Sequence, residues 1–158
     1  MEPDSIAHGM TYMNCDQALI DTNIFGYVFD TGEPKKQKIA KELLAHCWKG
    51  ETKYAVSVQN LAEFAVIVTE KVAHPLPLEM VQEFLRYINE FDGWKKISYS
   101  GTTINEALKI RSIYTINFWD ALIIATMLEH GITSIYSEDR LMSKVPIVQV
   151  INPFDNPS

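Results

Sequence analysis

At 158 residues, 47% hydrophobic and 22% charged, the chain is long enough for one domain with a substantial core and too apolar to be largely disordered. Its 14 Lys and Arg against 20 Asp and Glu leave a net charge of −6, which argues against a nucleic-acid binder that relies on a broad basic patch. Two cysteines, Cys15 and Cys47, without CxxC spacing exclude a disulfide scaffold and structural zinc, and the lack of a signal-like segment or membrane-length apolar run gives the expectation of a soluble, cytoplasmic protein with no membrane partner.

Residues 1–16 are polar and mixed and read as an N-terminal extension, with the domain expected at 17–155. Residues 17–20 form a short buried strand, and Pro34 opens a helix with a Lys-rich outer face that runs to Trp48 and stops at Gly50. A second strand at 54–58 leads into a helix at 59–72, which ends before the breakers Pro75 and Pro77. The next helix, 78–91, carries Met80, Phe84, Tyr87, Ile88 and Phe91 on its apolar side, a candidate dimer face. Asp92-Gly93 turns the chain into a third strand near 96–98. Helices follow at 103–114 and 118–130, the second closed by Gly131, and strands at 133–136 and 147–151 complete the set. This alternation implies an α/β fold, a mainly parallel central sheet of about five strands covered on both faces, with the site outside the strands' carboxyl ends.

Four acids fall at that edge. Asp21 follows the first strand, and its residue type also suits a turn or helix N-cap. Glu63 lies in the first turns after the second strand; Leu61, Ala65, Val68 and Val72 define the buried side of its helix, and Gln59, Glu63 and Glu70 also fit a solvated face. Asp120 sits in an apolar run and, with Asn117 as N-cap, occupies the third helical position. Asp139 follows the fourth strand, where alone it reads as a turn, and Glu138 beside it is a substitute ligand. Converged, four carboxylates suit hard Mg²⁺ or Mn²⁺, whose charge would invert the local sign where a phosphate arrives. Two such ions can activate water and stabilise both oxygens of an in-line displacement.

Leu19-Ile20-Asp21-Thr22-Asn23, the Ser57 to Phe64 run with Glu63, Phe118-Trp119-Asp120-Ala121-Leu122-Ile123 and Tyr136-Ser137-Glu138-Asp139 resemble, in order, the four acidic motifs of the PIN-domain ribonucleases, especially the small VapC-type toxins of toxin-antitoxin pairs. Ile151-Asn152-Pro153-Phe154 is similar to the family's tail. The resemblance implies a three-layer α/β/α PIN fold and Mg²⁺- or Mn²⁺-dependent endonucleolytic cleavage of RNA. It also implies frequent homodimers, a cognate antitoxin, metal ligation by Asp21, Glu63, Asp120 and Asp139, and help from Asn23 and Ser137. Family members reach their first aspartate sooner than this chain does, so Met10 or Met13 is an alternative start. His8, His46, His74 and His130 read as incidental. Lys109, Arg111, Arg140 and Lys144 are candidate phosphate contacts or simply solvated, and Phe25, Tyr27 and Trp119 are candidates to stack a base or to fill the core, the core being favoured. A dehalogenase-like phosphatase or a receiver domain needs paired acids after the first strand, and position 23 is Asn. The remaining alternative is an inactive PIN-like scaffold that binds RNA or a partner protein.

Overall fold

The computed structural model describes residues 17–155; the extension expected at 1–16 lies outside the described residues. Five strands, β1 (Leu19–Ile20), β2 (Ala55–Ser57), β3 (Lys95–Ile97), β4 (Ser134–Tyr136) and β5 (Gln149–Ile151), form one sheet in the order β3-β2-β1-β4-β5 with every pairing parallel. Leu19 registers with Ala55 on one side and Ile135 on the other. The first three strands therefore grow away from β1 in one direction, and β4 returns to its other side. The strand order reverses between β1 and β4, and a crevice opens at such a switch point beyond the strands' carboxyl ends.

Side chains alternate across the sheet and feed two cores. Leu19, Ala55, Ile97 and Ile135 face the helix pair α5 (Gly101–Tyr114) and α6 (Phe118–Glu129). Ile20 and Val56 face the other layer, built from α1 (Thr22–Val28), α2 (Pro34–Trp48), α3 (Val58–Val66) and α4 (Leu78–Glu90). α6 is buried continuously from Ala121 to Met127, as an almost wholly apolar helix must be. The second core is aromatic: Phe64 meets Phe25 at 6.2 Å and Phe84 at 5.1 Å, while Trp94 meets Phe25 at 5.7 Å. The result is the three-layer α/β/α arrangement expected.

Several elements differ from the sequence expectation. α1 was not foreseen, because seven residues containing Gly26, Ile24, Phe25 and Val28 have weak helix propensity; its cap and the burial of Ile24 and Phe25 stabilise it instead. The helix at 59–72 remains α-helical only to Val66 and widens into a π turn, Ile67–Lys71, where the Thr69 hydroxyl donates to the Ala65 carbonyl at 2.6 Å. Val72 is exposed, not buried. On α4 the buried residues are Val81 and Ile88, with Phe84 and Leu85 half-buried, while Met80 and Tyr87 of the expected apolar side face solvent.

Gly131 ends α6 with φ +70°, a left-handed conformation that disfavours any side chain. Gly131→Ala should cost about 1 kcal/mol of stability, read as a lower urea midpoint; an unchanged midpoint would mean that the turn relaxes freely.

Candidate active site

The crevice between β1 and β4 is where the sequence motifs meet. Asp21 leaves β1 as the N-cap of α1, its Oδ1 accepting the Thr22 amide at 2.8 Å. The N-cap reading of Asp21 is thus borne out. Across the switch point the Ser137 hydroxyl, just past β4, donates to Asp21 Oδ2 at 2.6 Å and accepts the Asp139 amide at 3.0 Å. Asn23 donates its Nδ2 to Ser137 Oγ at 3.3 Å, and its Oδ1 accepts the Glu138 amide at 3.4 Å. Both expected helpers therefore stitch the loop carrying Asp139 to the first aspartate.

Glu63 is positioned from the neighbouring strand. Ser57 at the end of β2 caps α3: its hydroxyl accepts the Asn60 amide at 3.0 Å and donates to Asn60 Oδ1 at 2.6 Å. Asn60, fully buried, then extends Nδ2 to Asp21 Oδ1 at 3.2 Å and Thr22 Oγ1 at 3.1 Å. Thr22 donates its hydroxyl to Glu63 Oε2 at 3.0 Å. Gln59 Nε2 donates to Glu63 Oε1 at 2.8 Å and to the Trp119 carbonyl at 3.0 Å, which links α3 to the start of α6. Asn60 and Gln59 were not singled out as site residues from sequence, whereas Thr22, beside Asp21, reads there as a residue that could orient it; Ser57 with Asn60 three residues on is the capping pattern that could have pointed to Asn60. Gln59 is 7% exposed rather than part of a solvated face. Asp120 stands at the third position of α6 with its amide held by Asn117 Oδ1 at 3.0 Å and its carboxylate by the Asn117 amide group.

Asp21 feels the charges of Glu63 and Asp120, and Asp120 those of Asp139 and Glu63. The Asp21 carboxyl stands raised to about 6, chiefly by burial and in lesser part by the Glu63 and Asp120 charges, against the lowering effect of the Ser137 and Thr22 hydrogen bonds. Burial also raises Asp120, helped by the charges of Asp139 and Glu63 and opposed by Asn117. Among the described residues, however, no three acidic, histidine or cysteine side chains are drawn together as a ready-made metal cage. Hydrogen-bond donors occupy the oxygens of Asp21, Glu63 and Asp120 instead. An all-oxygen, mutually repelling set still matches what hard divalent cations take.

Glu138 does not join this group. It is held by the Lys36 ammonium and by the Tyr27 hydroxyl, the latter at 2.6 Å. Burial acts to raise its carboxyl, but Lys36 and Tyr27 outweigh that and bring it below the usual glutamate range. The expected phosphate contacts Lys109 and Arg140 already pair with Glu106 and Asp155 on the surface, while Arg111 and Lys144 are solvent-exposed. Of the three aromatics read as core, Phe25 is buried and Tyr27 half-buried, but Trp119 is 59% exposed.

The sequence pattern of the PIN domain matches residues 18–148. Among solved structures, the chain is similar to FitAcB from Neisseria gonorrhoeae, at 18% identity and TM-score 0.63, covering 88% of this chain and 99% of that one. It is also similar to VapC20 of Mycobacterium tuberculosis, described as a sarcin-ricin loop cleaving toxin, at 16% identity and TM-score 0.62, covering 81% and 95%. A toxin-antitoxin complex from Klebsiella pneumoniae aligns at 20% identity and TM-score 0.59, covering 87% and 98%. No curated protein matches the chain. A sequence match over nearly all of the described residues, on a five-stranded parallel sheet, places this chain in the PIN domain family.

Proposed function

We propose that this chain is a divalent-metal-dependent endoribonuclease that cuts single-stranded or structured RNA, and that it is the toxin of a toxin-antitoxin pair. The observation that supports the reading is that Asp21, Glu63, Asp120 and Asp139 come from four separate segments and are linked pairwise by charge, Asp21 with Glu63 and Asp120, and Asp120 with Glu63 and Asp139. Asp21 and Asp120 would hold Mg²⁺ or Mn²⁺, with Glu63 and Asp139 completing the set. When bound, such an ion supplies Lewis acidity at the phosphate and a water acidic enough to attack at neutral pH. The chain's own work is positional: Asn60 and Ser137 fix Asp21, Thr22 and Gln59 fix Glu63, and Asn117 fixes Asp120. No Ser, Cys or His nucleophile is required. Similarity to proteins described as toxins and toxin-antitoxin complexes supports an antitoxin partner for this chain, and homodimerisation follows the family expectation.

The test is cleavage of a labelled single-stranded RNA pool in Mg²⁺, Mn²⁺ or EDTA, by protein freed of any co-purifying small protein. Wild type should cut only with metal, and Asp120→Asn should lose at least about 100-fold, more than the loss typical of a supporting residue around a metal. Cleavage that survives Asp120→Asn would overturn the site assignment. RNA binding without cleavage by wild type, unchanged in Asp120→Asn, would instead favour an inactive scaffold.

A further inference from the structure

Beside the carboxylates lies a groove of about 560 Å³ whose walls include Val58, Val66, Lys71, Tyr99 and Trp119, with Gln59 and Glu63 also lining it. Its chemistry differs from that of the acidic crevice. Trp119 adjoins Asp120 in the chain, yet its indole is 59% exposed, and Tyr99 is exposed as well. Such aromatic area is costly to leave in water unless something covers it. Phe118 packs against the Trp119 ring at 5.4 Å and 71°, and Gln59 grips the Trp119 carbonyl, so the indole stands on an ordered base.

Gln59 supplies a second, independent sign of a ligand. Its Nε2 donates to two acceptors, Glu63 Oε1 and the Trp119 carbonyl, so the amide cannot flip without placing oxygen against oxygen. Its Oε1 is thereby fixed as an acceptor, and among the described residues no donor reaches it. The groove therefore combines aromatic rings, a buried acceptor short of a donor and, in Lys71, an exposed cation.

We propose that this groove is a nucleobase subsite: a base of single-stranded RNA next to the cut phosphate stacks on Trp119, with Lys71 beside the backbone of the same strand. A nucleobase offers a flat π face to the indole and, once a side-chain shift uncovers the buried Gln59 Oε1, an N–H donor for that oxygen, and its phosphate complements Lys71. The subsite rests on the nuclease reading and gives it a preference around the cut site, because Gln59 joins the shelf to Glu63 through one amide group. Trp119 is a specificity-determining residue, and Gln59 positions it.

The test uses a single-stranded oligoribonucleotide that the wild-type protein cuts, together with versions lacking one base at a time on either side of the cut. For wild type, one abasic position should raise KM about 10-fold with kcat largely kept, the size expected when one stacked base is lost. Trp119→Ala should raise KM on the intact RNA by a similar factor and become indifferent to that same position; Trp119→Phe should recover most of the loss. Trp119→Ala kinetics equal to wild type on every oligonucleotide would overturn the subsite while leaving the nuclease reading standing. The subsite is also overturned if Trp119→Ala cuts normally but loses self-association in sedimentation, for the groove is then an interface between copies. A wild type that cuts no RNA removes both readings together.

Discussion

Asp21→Asn should abolish RNA cleavage, by at least about 100-fold, and yet make the metal-free protein more stable at neutral pH. The carboxyl is buried beneath four hydrogen-bond donors, and burial with the neighbouring acids lifts its pKa to about 6 from 3.8. Between those two values the folded chain retains a proton that the unfolded chain has released. Stability without metal therefore falls as pH rises from about 4 to about 6 and remains lowered above it, by about 2–3 kcal/mol at roughly 1.4 kcal/mol per pKa unit. Asn is a neutral near-isostere of the protonated acid, so its urea-unfolding stability in EDTA should fall less than that of wild type across that window, Asp120 still titrating there, and exceed wild type at pH 7.5. A variant less stable than wild type at pH 7.5 in EDTA would contradict the burial argument. Added Mn²⁺ should reverse the order, stabilising wild type far more than the variant, because a cation bound only by the folded state adds to its stability. The charge that destabilises the fold without metal is the charge that would bind the ion.

Phe64→Ala should produce the largest loss of stability, about 3–5 kcal/mol. Phe64 is fully buried and touches Phe25 and Phe29, on α1 and at its C-cap, and Phe84 on α4. Removing its ring opens a void that helices pinned by their own caps cannot close by collapse. For a domain of this size the melting temperature should fall by about 8–15 °C. Phe64 also follows Glu63 directly on α3, so loosening here should reach the active site before global unfolding. Cleavage at 20 °C by the folded fraction should drop more than the folded fraction itself, measured by circular dichroism on the same sample. A loss under 1 kcal/mol would show that the aromatic cluster repacks. Activity that simply tracks the folded fraction would show that Glu63 is held by Thr22 and Gln59 alone.

The strand ends were legible because parallel strands buried on both faces read as short apolar runs, and Asp21 and Asp139 interrupt two of them at the same edge. Asp120 was legible for a similar reason: a helix as apolar as α6 makes an acid near its start conspicuous. Glu63 was harder to read, since the spacing of Gln59, Glu63 and Glu70 equally describes a wet helix face. Only when α3 packs against the start of α6 does Gln59 become buried between Glu63 and the Trp119 carbonyl. Trp119 failed in the opposite direction. Its neighbours Phe118 and Ala121 to Met127 suggest core, and helical geometry turns this one ring outward into the groove.

By itself the sequence determined an α/β chain, its strand and helix alternation from 34 onward, the Gly131 stop, and the order in which four acids would reach the sheet's edge. These are local quantities, fixed by periodicity, capping and backbone preference over a few residues. The strand order β3-β2-β1-β4-β5, the seven-residue helix α1 and the roles of Asn60 and Ser137 as links to Asp21 were decided only by tertiary structure. The strand pairings join residues 15 to 116 positions apart, and the links of Asn60 and Ser137 span 38 to 116. α1 in particular gains from burial what its own propensity withholds, and a buried carboxylate finds its donors only after the strands that carry them lie side by side.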